Sequence, residues 1–288
     1  LRDKEGDKPY NQLIQTKNYK KDFEDRLVLK GNWKDSQLKD LKSDLVNEQN
    51  INSNAQTRCV GLVLETRPDC INKSEVYSLR ELGATKIQLG VQTLDDSISI
   101  LNKRGETRSN VESAFSLLRA AGFKIHAHIM PHLYGATPEK DFEVYKELFD
   151  NPDFKPDELK IYPTSIIRDT ENYTLFKEGK YKPYTLIQLS NLLADCIEYT
   201  PEYCRLTRII RDIPSQEIEG GNKVTNLRQV VEKKLKLEKR TDKNIRAREI
   251  KNTMVTEEDL FLDILEYQAT GSKEYFLQFI TQKRKIAG

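Results

Sequence analysis

Glu65 and Arg67 close an apolar run that begins at Val60, with Pro68 immediately after. A carboxylate beside a guanidinium can grip a zwitterionic ligand such as an amino acid, or the two can pair with each other across the mouth of a barrel. Pro68 biases Arg67 toward extended backbone, which gives its side chain a set direction. His126, His128 and His132 are the chain's three histidines, in the order His-x-His-x3-His. The first two share a strand face, so a metal is one reading. The third would need a particular turn beyond Met130 and Pro131, and no carboxylate lies nearby in sequence to orient the rings. The reading adopted is therefore no metal, with His128 hydrogen-bonded and facing a ligand pocket. Lys160 and Tyr162 lie on one face of a further run and can both donate to anionic or carbonyl groups. The alternative is a lysine snorkelling to the rim and a tyrosine packed as core.

Four strand-like runs must hold these groups. Glu65 opposes Val60, Leu62 and Leu64; Gln88 and Gln92 oppose Ile87, Leu89 and Val91; His126 and His128 oppose Ile125, Ala127 and Ile129; Lys160 and Tyr162 oppose Leu159 and Ile161. In a parallel βα array the helix-covered face is apolar, so a polar opposite face is costly unless something polar occupies the interior. From Cys59 onward strands and helices alternate: strands over 60–65, 86–92, 124–130, 158–162 and 205–211, helices over 73–82, 107–121, 138–149 and 185–199. That order predicts a parallel sheet with right-handed crossovers. Gly83 and Gly122 fall at helix ends, and Thr137 before Pro138 marks a helix start. Runs 261–267 and 274–280 flank Thr270, Gly271 and Ser272, the pattern of a hairpin opening a second domain.

The chain has 288 residues, 37% hydrophobic and 32% charged, with a net charge of +2, which excludes strong overall steering toward nucleic acid. Basic character is local: residues 223–251 hold eleven lysines and arginines against four acids, and Arg205, Arg208 and Arg211 precede them. A phosphate footprint through Arg208, Arg211, Lys233, Lys234, Arg246 and Arg248 is one reading, a solvated helix face the other. Cys59, Cys70, Cys196 and Cys204 show neither CxxC nor CxxxCxxC spacing and read as ordinary thiols of a reducing, cytoplasmic compartment. No apolar run reaches the length of a membrane span and the N-terminus is not signal-like. The start at Leu1 and the stop at Gly288 in mid-domain suggest a fragment of a longer protein.

Five blocks together resemble the catalytic subunit of the Elongator complex and its single-chain bacterial and archaeal relatives: RCVGLVLETRPD (58–69), IQLGVQTLDDSISILNKRGET (87–107), AHIMPHLYGATPEKD (127–141), LKIYPT (159–164) and RIIRDIPSQEIEGGNKVTNLR (208–228). The resemblance implies an α/β fold, a partial (β/α) radical S-adenosylmethionine barrel over 58–222. A divergent charged segment over 1–57 precedes it, and a basic linker over 223–256 and the first hairpin of an acetyltransferase-like domain over 257–288 follow. It implies carboxymethylation of the wobble uridine of tRNA at C5, with S-adenosylmethionine, a 4Fe-4S cluster and acetyl-CoA as cofactors, and with tRNA and either Elongator-like subunits or none as partners. Glu65, Arg67 and Gln92 would line the cofactor region, and His128, Lys160 and Tyr162 would face the reacting centre. The chain departs from the family in lacking the cluster's CxxxCxxC and the acyl-CoA loop, so the fragment is expected to be inactive alone. NIRARE (244–249) replaces a cysteine-rich patch of some relatives, and Asp169 stands where the family's IxGT segment usually carries glycine. The alternatives are a radical oxidoreductase resembling the oxygen-independent coproporphyrinogen enzymes, which share a GVQ-type strand followed by an Arg-Gly turn, and a non-catalytic tRNA-binding scaffold. The basic segment and terminal hairpin argue against the oxidoreductase.

Overall fold

A computed structural model of the chain describes residues 35–210 and 213–288, which divide between two compact units, 1–59 and 60–288. In the first, helix α1 (Asp35–Asn54) carries the leucine row at 38, 41 and 45, of which the first two side chains lie outside the described residues. Asn52 then closes the turn after the helix, its Oδ1 accepting from the Cys59 amide at 2.8 Å and its Nδ2 donating to the Cys59 carbonyl at 3.0 Å.

The second unit is built on a parallel sheet. Strands β1 (Val63–Thr66), β2 (Lys86–Gln92), β3 (Lys124–Ile129) and β4 (Glu158–Ile161) follow one another, β5 (Ile166–Ile167) leaves for a separate sheet, and β6 (Arg205–Arg208) completes the order β1-β2-β3-β4-β6. Helices α2 (Lys73–Glu81), α4 (Arg108–Ala120), α5 (Pro138–Asp150) and α7 (Leu186–Tyr199) make the crossovers. Their starts are chemically marked: Asn72, Thr107, Thr137 and Thr185 each accept an amide of the first turn, and Thr107 and Thr185 form capping boxes with Asn110 and Gln188. Gly122 ends α4 at φ 74°, and a side chain there would press on the Arg80 guanidinium that donates to the Ala121 carbonyl.

One sheet face is the core. Ile87, Leu89, Ile125, Ala127, Leu159 and Ile161 are fully buried against Phe115 and Leu118 of α4, Tyr145 and Leu148 of α5, and Leu193 of α7. Each large aliphatic or aromatic side chain so buried contributes about 1.5–3 kcal/mol relative to exposure, so this face drives the fold and fixes the register. A one-residue slip would turn the polar row into it.

The structure departs from the sequence expectations in several places. β1 begins at Val63, because the Leu62 amide is held by the Thr85 hydroxyl rather than by a strand carbonyl, and Val60 is 82% exposed; the strand expected from residue 60 is a short edge strand. β6 ends at Arg208 rather than 211. The short helix α3 (Asp96–Leu101), capped by Asp95, and the antiparallel pair of β5 with β7 (Ile218–Gly220), with α6 (Glu171–Lys177) between them, were not expected. Asp169 adopts φ 63°, the left-handed backbone that glycine enters most freely. The segment expected as a basic linker contains helix α8 (Leu227–Leu237), whose Leu227, Val231 and Leu235 enter the core at helical spacing, and the short helix α9 (Ile245–Arg248). Strands β8 (Phe261–Ala269) and β9 (Ser272–Ile280) form the expected hairpin through a two-residue turn with positive φ at Thr270 and Gly271. The hairpin lies in the same compact unit as the sheet: Tyr267 stacks on Tyr203 with ring centres 3.9 Å apart, and Glu274 lies 3.4 Å from Arg119.

Candidate active site on the polar face of the sheet

The opposite face of the sheet carries two layers of polar groups. Nearer the strands' N-terminal ends, Lys86 Nζ donates to both Glu158 oxygens at 2.9 Å, and Glu158 Oε2 lies 3.4 Å from His126 Nδ1. The Thr207 hydroxyl donates to the Leu159 carbonyl at 3.1 Å, so its oxygen accepts from His126 Nε2 at 2.9 Å, which places the ring's proton on Nε2. Burial, reinforced by the charge of Lys160, holds the His126 pKa down at about 3, so this ring is neutral at physiological pH.

The next layer lies toward the C-terminal edge, where parallel sheets keep their chemistry. Register pairs His128 with Lys160 and Lys160 with Arg208, while Glu65 pairs with Gln88. Gln88 Oε1 lies 2.5 Å from Lys160 Nζ and 3.1 Å from His128 Nε2. His128 Nδ1 stands 3.7 Å from Glu65 Oε1, and the Tyr162 ring meets the His128 ring edge-on at 5.7 Å. Lys160 Nζ is 6.0 Å from the centre of the Tyr162 ring. Burial lowers the Lys160 pKa and the Glu65 carboxylate opposes that shift. The layer thus brings a carboxylate, an imidazole, an ammonium and a phenol around one space, the donor and acceptor set that positions a polar ring or moves a proton.

Gln92 ends β2 at φ 63°, its carbonyl accepting from Met130, and its Oε1 is buried without a partner among the described residues. A buried orphan acceptor at the sheet's C-terminal edge is suited to a ligand's donor. Arg67 is differently engaged. Its guanidinium holds Asp69 at 2.9 and 2.7 Å and lies 3.0 Å from Glu106 Oε1, whose buried carboxylate also binds Arg104 at 2.9 Å. Burial raises the Glu106 pKa and the two guanidiniums pull it back. Of the two sequence readings of Arg67, the ion pair at the mouth is the arrangement present, though with Asp69 and Glu106 rather than with Glu65.

His132 takes no part in this layer. It turns at φ 66° into a separate cluster, where Asp141 Oδ2 accepts from the His132 amide at 2.7 Å and from the Tyr184 hydroxyl at 2.8 Å. Among the basic candidates, Lys233 and Arg208 are exposed, Lys234 pairs with Glu238, Arg246 donates to the Thr207 carbonyl at 2.9 Å, and Arg211 lies outside the described residues. Arg248 corrects the sequence reading. It is only 6% exposed and donates to the Lys243 and Glu202 carbonyls at 2.8 Å and to Gln278 Oε1 at 3.0 Å, so its donors face inward and not toward a phosphate.

Lys86, Glu158 and Thr207 were absent from the sequence-derived site. Strand parity was the available signal, since Lys86 shares a face with Gln88 and Glu158 with Lys160.

Among the described residues no helix is long and apolar enough to cross a membrane. The Radical_SAM C-terminal domain matches residues 156–237. The tRNA uridine(34) acetyltransferase of Methanocaldococcus jannaschii is 39% identical over 250 residues, 85% of this chain and 46% of the relative. That of Dehalococcoides mccartyi is 41% identical over 242 residues, 83% and 52% respectively. Elongator complex protein 3 of Saccharomyces cerevisiae is 36% identical over 234 residues, 80% and 42%. The solved archaeal Methanocaldococcus infernus Elp3, with an N-terminal deletion, superposes with a TM-score of 0.80 at 37% identity, covering 84% of this chain and 58% of that one. The chain spans about half the length of the curated relatives it matches. With both sequence and fold shared over most of its length, the chain is a homologue of the tRNA uridine(34) acetyltransferases and Elongator complex protein 3 and belongs to their family.

Proposed function

We propose that this chain forms the substrate-facing part of an enzyme that carboxymethylates uridine 34 of tRNA at C5, using S-adenosylmethionine and a two-carbon unit from acetyl-CoA. The relatives' names support the substrate. The observation that carries the reading to this chain is the layer of Glu65, Gln88, His128, Lys160 and Tyr162 on a face that burial alone would make apolar. A flipped base needs hydrogen-bonding walls of this kind. Glu65, which is exposed, and Gln92, with its orphan acceptor, fit the polar end of S-adenosylmethionine, and Arg67 borders them. Held there, the cofactor would supply a hydrogen-abstracting radical on one-electron reduction by an iron-sulfur cluster. The cysteines of this chain do not fit an iron-sulfur cluster. Cys59 and Cys70 are exposed on separate segments, and Cys196 and Cys204 are buried, which pushes both thiols away from the thiolate that iron binds. Phosphate contact falls to the exposed cations Arg208 and Lys233, with Lys234 and Arg211 near them in sequence and Arg246 held on the Thr207 carbonyl.

The test is nucleoside analysis of tRNA treated with the enzyme that carries this chain. Lys160→Ala and Tyr162→Phe should each lower uridine 34 modification by about 100-fold or more, the range of a lost acid-base group, with melting midpoints near the parent's. Full activity in Tyr162→Phe would show that the hydroxyl takes no part. If the residual activity of Lys160→Ala merely follows the folded fraction, the lysine is structural.

A further inference from the structure

Gln88 is the hub of the upper layer, and its contacts determine more than position. An ammonium has three donors and no acceptor, so the Gln88 atom 2.5 Å from Lys160 Nζ must be the carboxamide oxygen and not the nitrogen. That oxygen is also 3.1 Å from His128 Nε2. A carboxamide oxygen has two lone pairs and accepts both donors, but only if Nε2 carries a proton. Nδ1, the other ring nitrogen, lies 3.7 Å from the exposed Glu65 carboxylate.

We propose that Gln88 is a positioning residue that pins the proton of His128 on Nε2 through the acceptor it shares with Lys160, and so makes Nδ1, beside Glu65, the ring atom that takes up and releases a proton in the site. The inference rests on the reading of this layer as the reacting centre. When a proton arrives at Nδ1 the ring becomes an imidazolium that donates to Gln88 on one side and is charge-paired with Glu65, 3.7 Å away, on the other; when it leaves, the neutral Nε2–H form returns with the bond to Gln88 kept. Among the described residues, the charged groups facing the ring include Glu65, Lys160 and, one register step beyond, Arg208, with neutral His126 behind it and Tyr162 at its edge.

The chain has three histidines, so its imidazole nitrogens can be resolved by 15N labelling and long-range 1H–15N correlation. In the parent above the ring's pKa, His128 should show the Nε2–H tautomer. Gln88→Leu removes the acceptor and should shift the tautomer ratio toward Nδ1–H by about fivefold or more, the equivalent of one ordinary hydrogen bond. Gln88→Glu keeps an acceptor oxygen and should restore the parent form. His126 and His132 report on folding, and their resonances should stay in place in both variants. A parent His128 protonated on Nδ1 overturns the proposal by itself, whether or not any variant folds. An unchanged ratio in a folded Gln88→Leu overturns it as well. These signals require no tRNA, so the tautomer can fail while uridine modification holds, or the reverse.

Discussion

Arg248 separates a structural cation from a tRNA-binding one. Its guanidinium ties together three segments: α9 and the loop before it through the Lys243 carbonyl, the turn between α7 and β6 through the Glu202 carbonyl, and the hairpin through Gln278, with the Glu202 carboxylate 3.7 Å away. Removing one partner of such a buried, hydrogen-bonded ion pair costs about 3–5 kcal/mol, because the acceptors left behind are neither paired nor hydrated. For a unit the size of residues 60–288, each kcal/mol moves the melting midpoint by about 2–4 °C, so Arg248→Ala should melt about 6–20 °C below the parent. Arg248→Lys should recover little, since an ammonium cannot make the planar fork that reaches three directions. Differential scanning calorimetry measures the shift, and tRNA affinity is then read well below the variant's midpoint against salt. The reasoning is refuted if Arg248→Ala melts within about 2 °C of the parent while its plot of log affinity against log salt flattens by about 0.9, the signature of one lost phosphate contact.

Lys233→Ala and Arg208→Ala should behave in the opposite way, leaving the midpoint in place and together flattening the salt dependence of tRNA binding by about 1.8 on a duplex-like stem; an unchanged slope would make both part of a solvated face. Stability against pH tests His126. Its folded pKa of about 3 lies below the ordinary 6.5, so the unfolded chain binds the extra proton, and the stability is fully present above about pH 6.5 and lost as pH falls toward 3. Between pH 6.5 and 5 the parent should lose about 2 kcal/mol that His126→Asn does not lose, read as urea unfolding free energies, and parallel losses in both would exclude the buried ring as the cause. Asp141 acts in the opposite sense, because burial raises its pKa to about 6 and its contribution, present below the ordinary 3.8, is lost as pH rises through 6. The comparison must therefore be variant against parent rather than a slope taken alone.

The parallel sheet was legible because its signal is redundant. Each inner strand has an apolar row on one parity, each crossover helix opens on a capping residue, and Gly83 and Gly122 take the positive φ that helix ends demand. Where that redundancy fails, so does the reading. β1 pairs with a single neighbour, and its apolar residues before Val63 find no second layer, so the alternation of Val60 and Leu62 does not make a strand. β5 and β7 are two and three residues long, too short for any period to show. In residues 223–251 net charge hid an amphipathic helix, since Leu227, Val231 and Leu235 make a narrow stripe among eleven cations.

For the site, the sequence could assign a face but not a partner. Parity puts Gln88, His128 and Lys160 on one side of the sheet, and it does the same for Lys86, His126 and Glu158. The first set lies beside the exposed Glu65 carboxylate and the second closes on itself, with Lys86 and Glu158 neutralising each other beside a neutral imidazole. What distinguishes the sets is distance along the strand: two residues, a rise of about 6.6 Å, separate His126 from His128. The lower set repays part of its burial through the Lys86–Glu158 ion pair and the His126–Thr207 hydrogen bond, whereas the upper set keeps Lys160 partly desolvated beside Glu65. A face that needed only to be filled would carry aliphatic side chains at lower cost. The retained polarity therefore supports the proposed meeting of the upper set with a ligand, and Gln88, whose oxygen holds the Lys160 ammonium and the His128 ring together, is the residue on which that set depends.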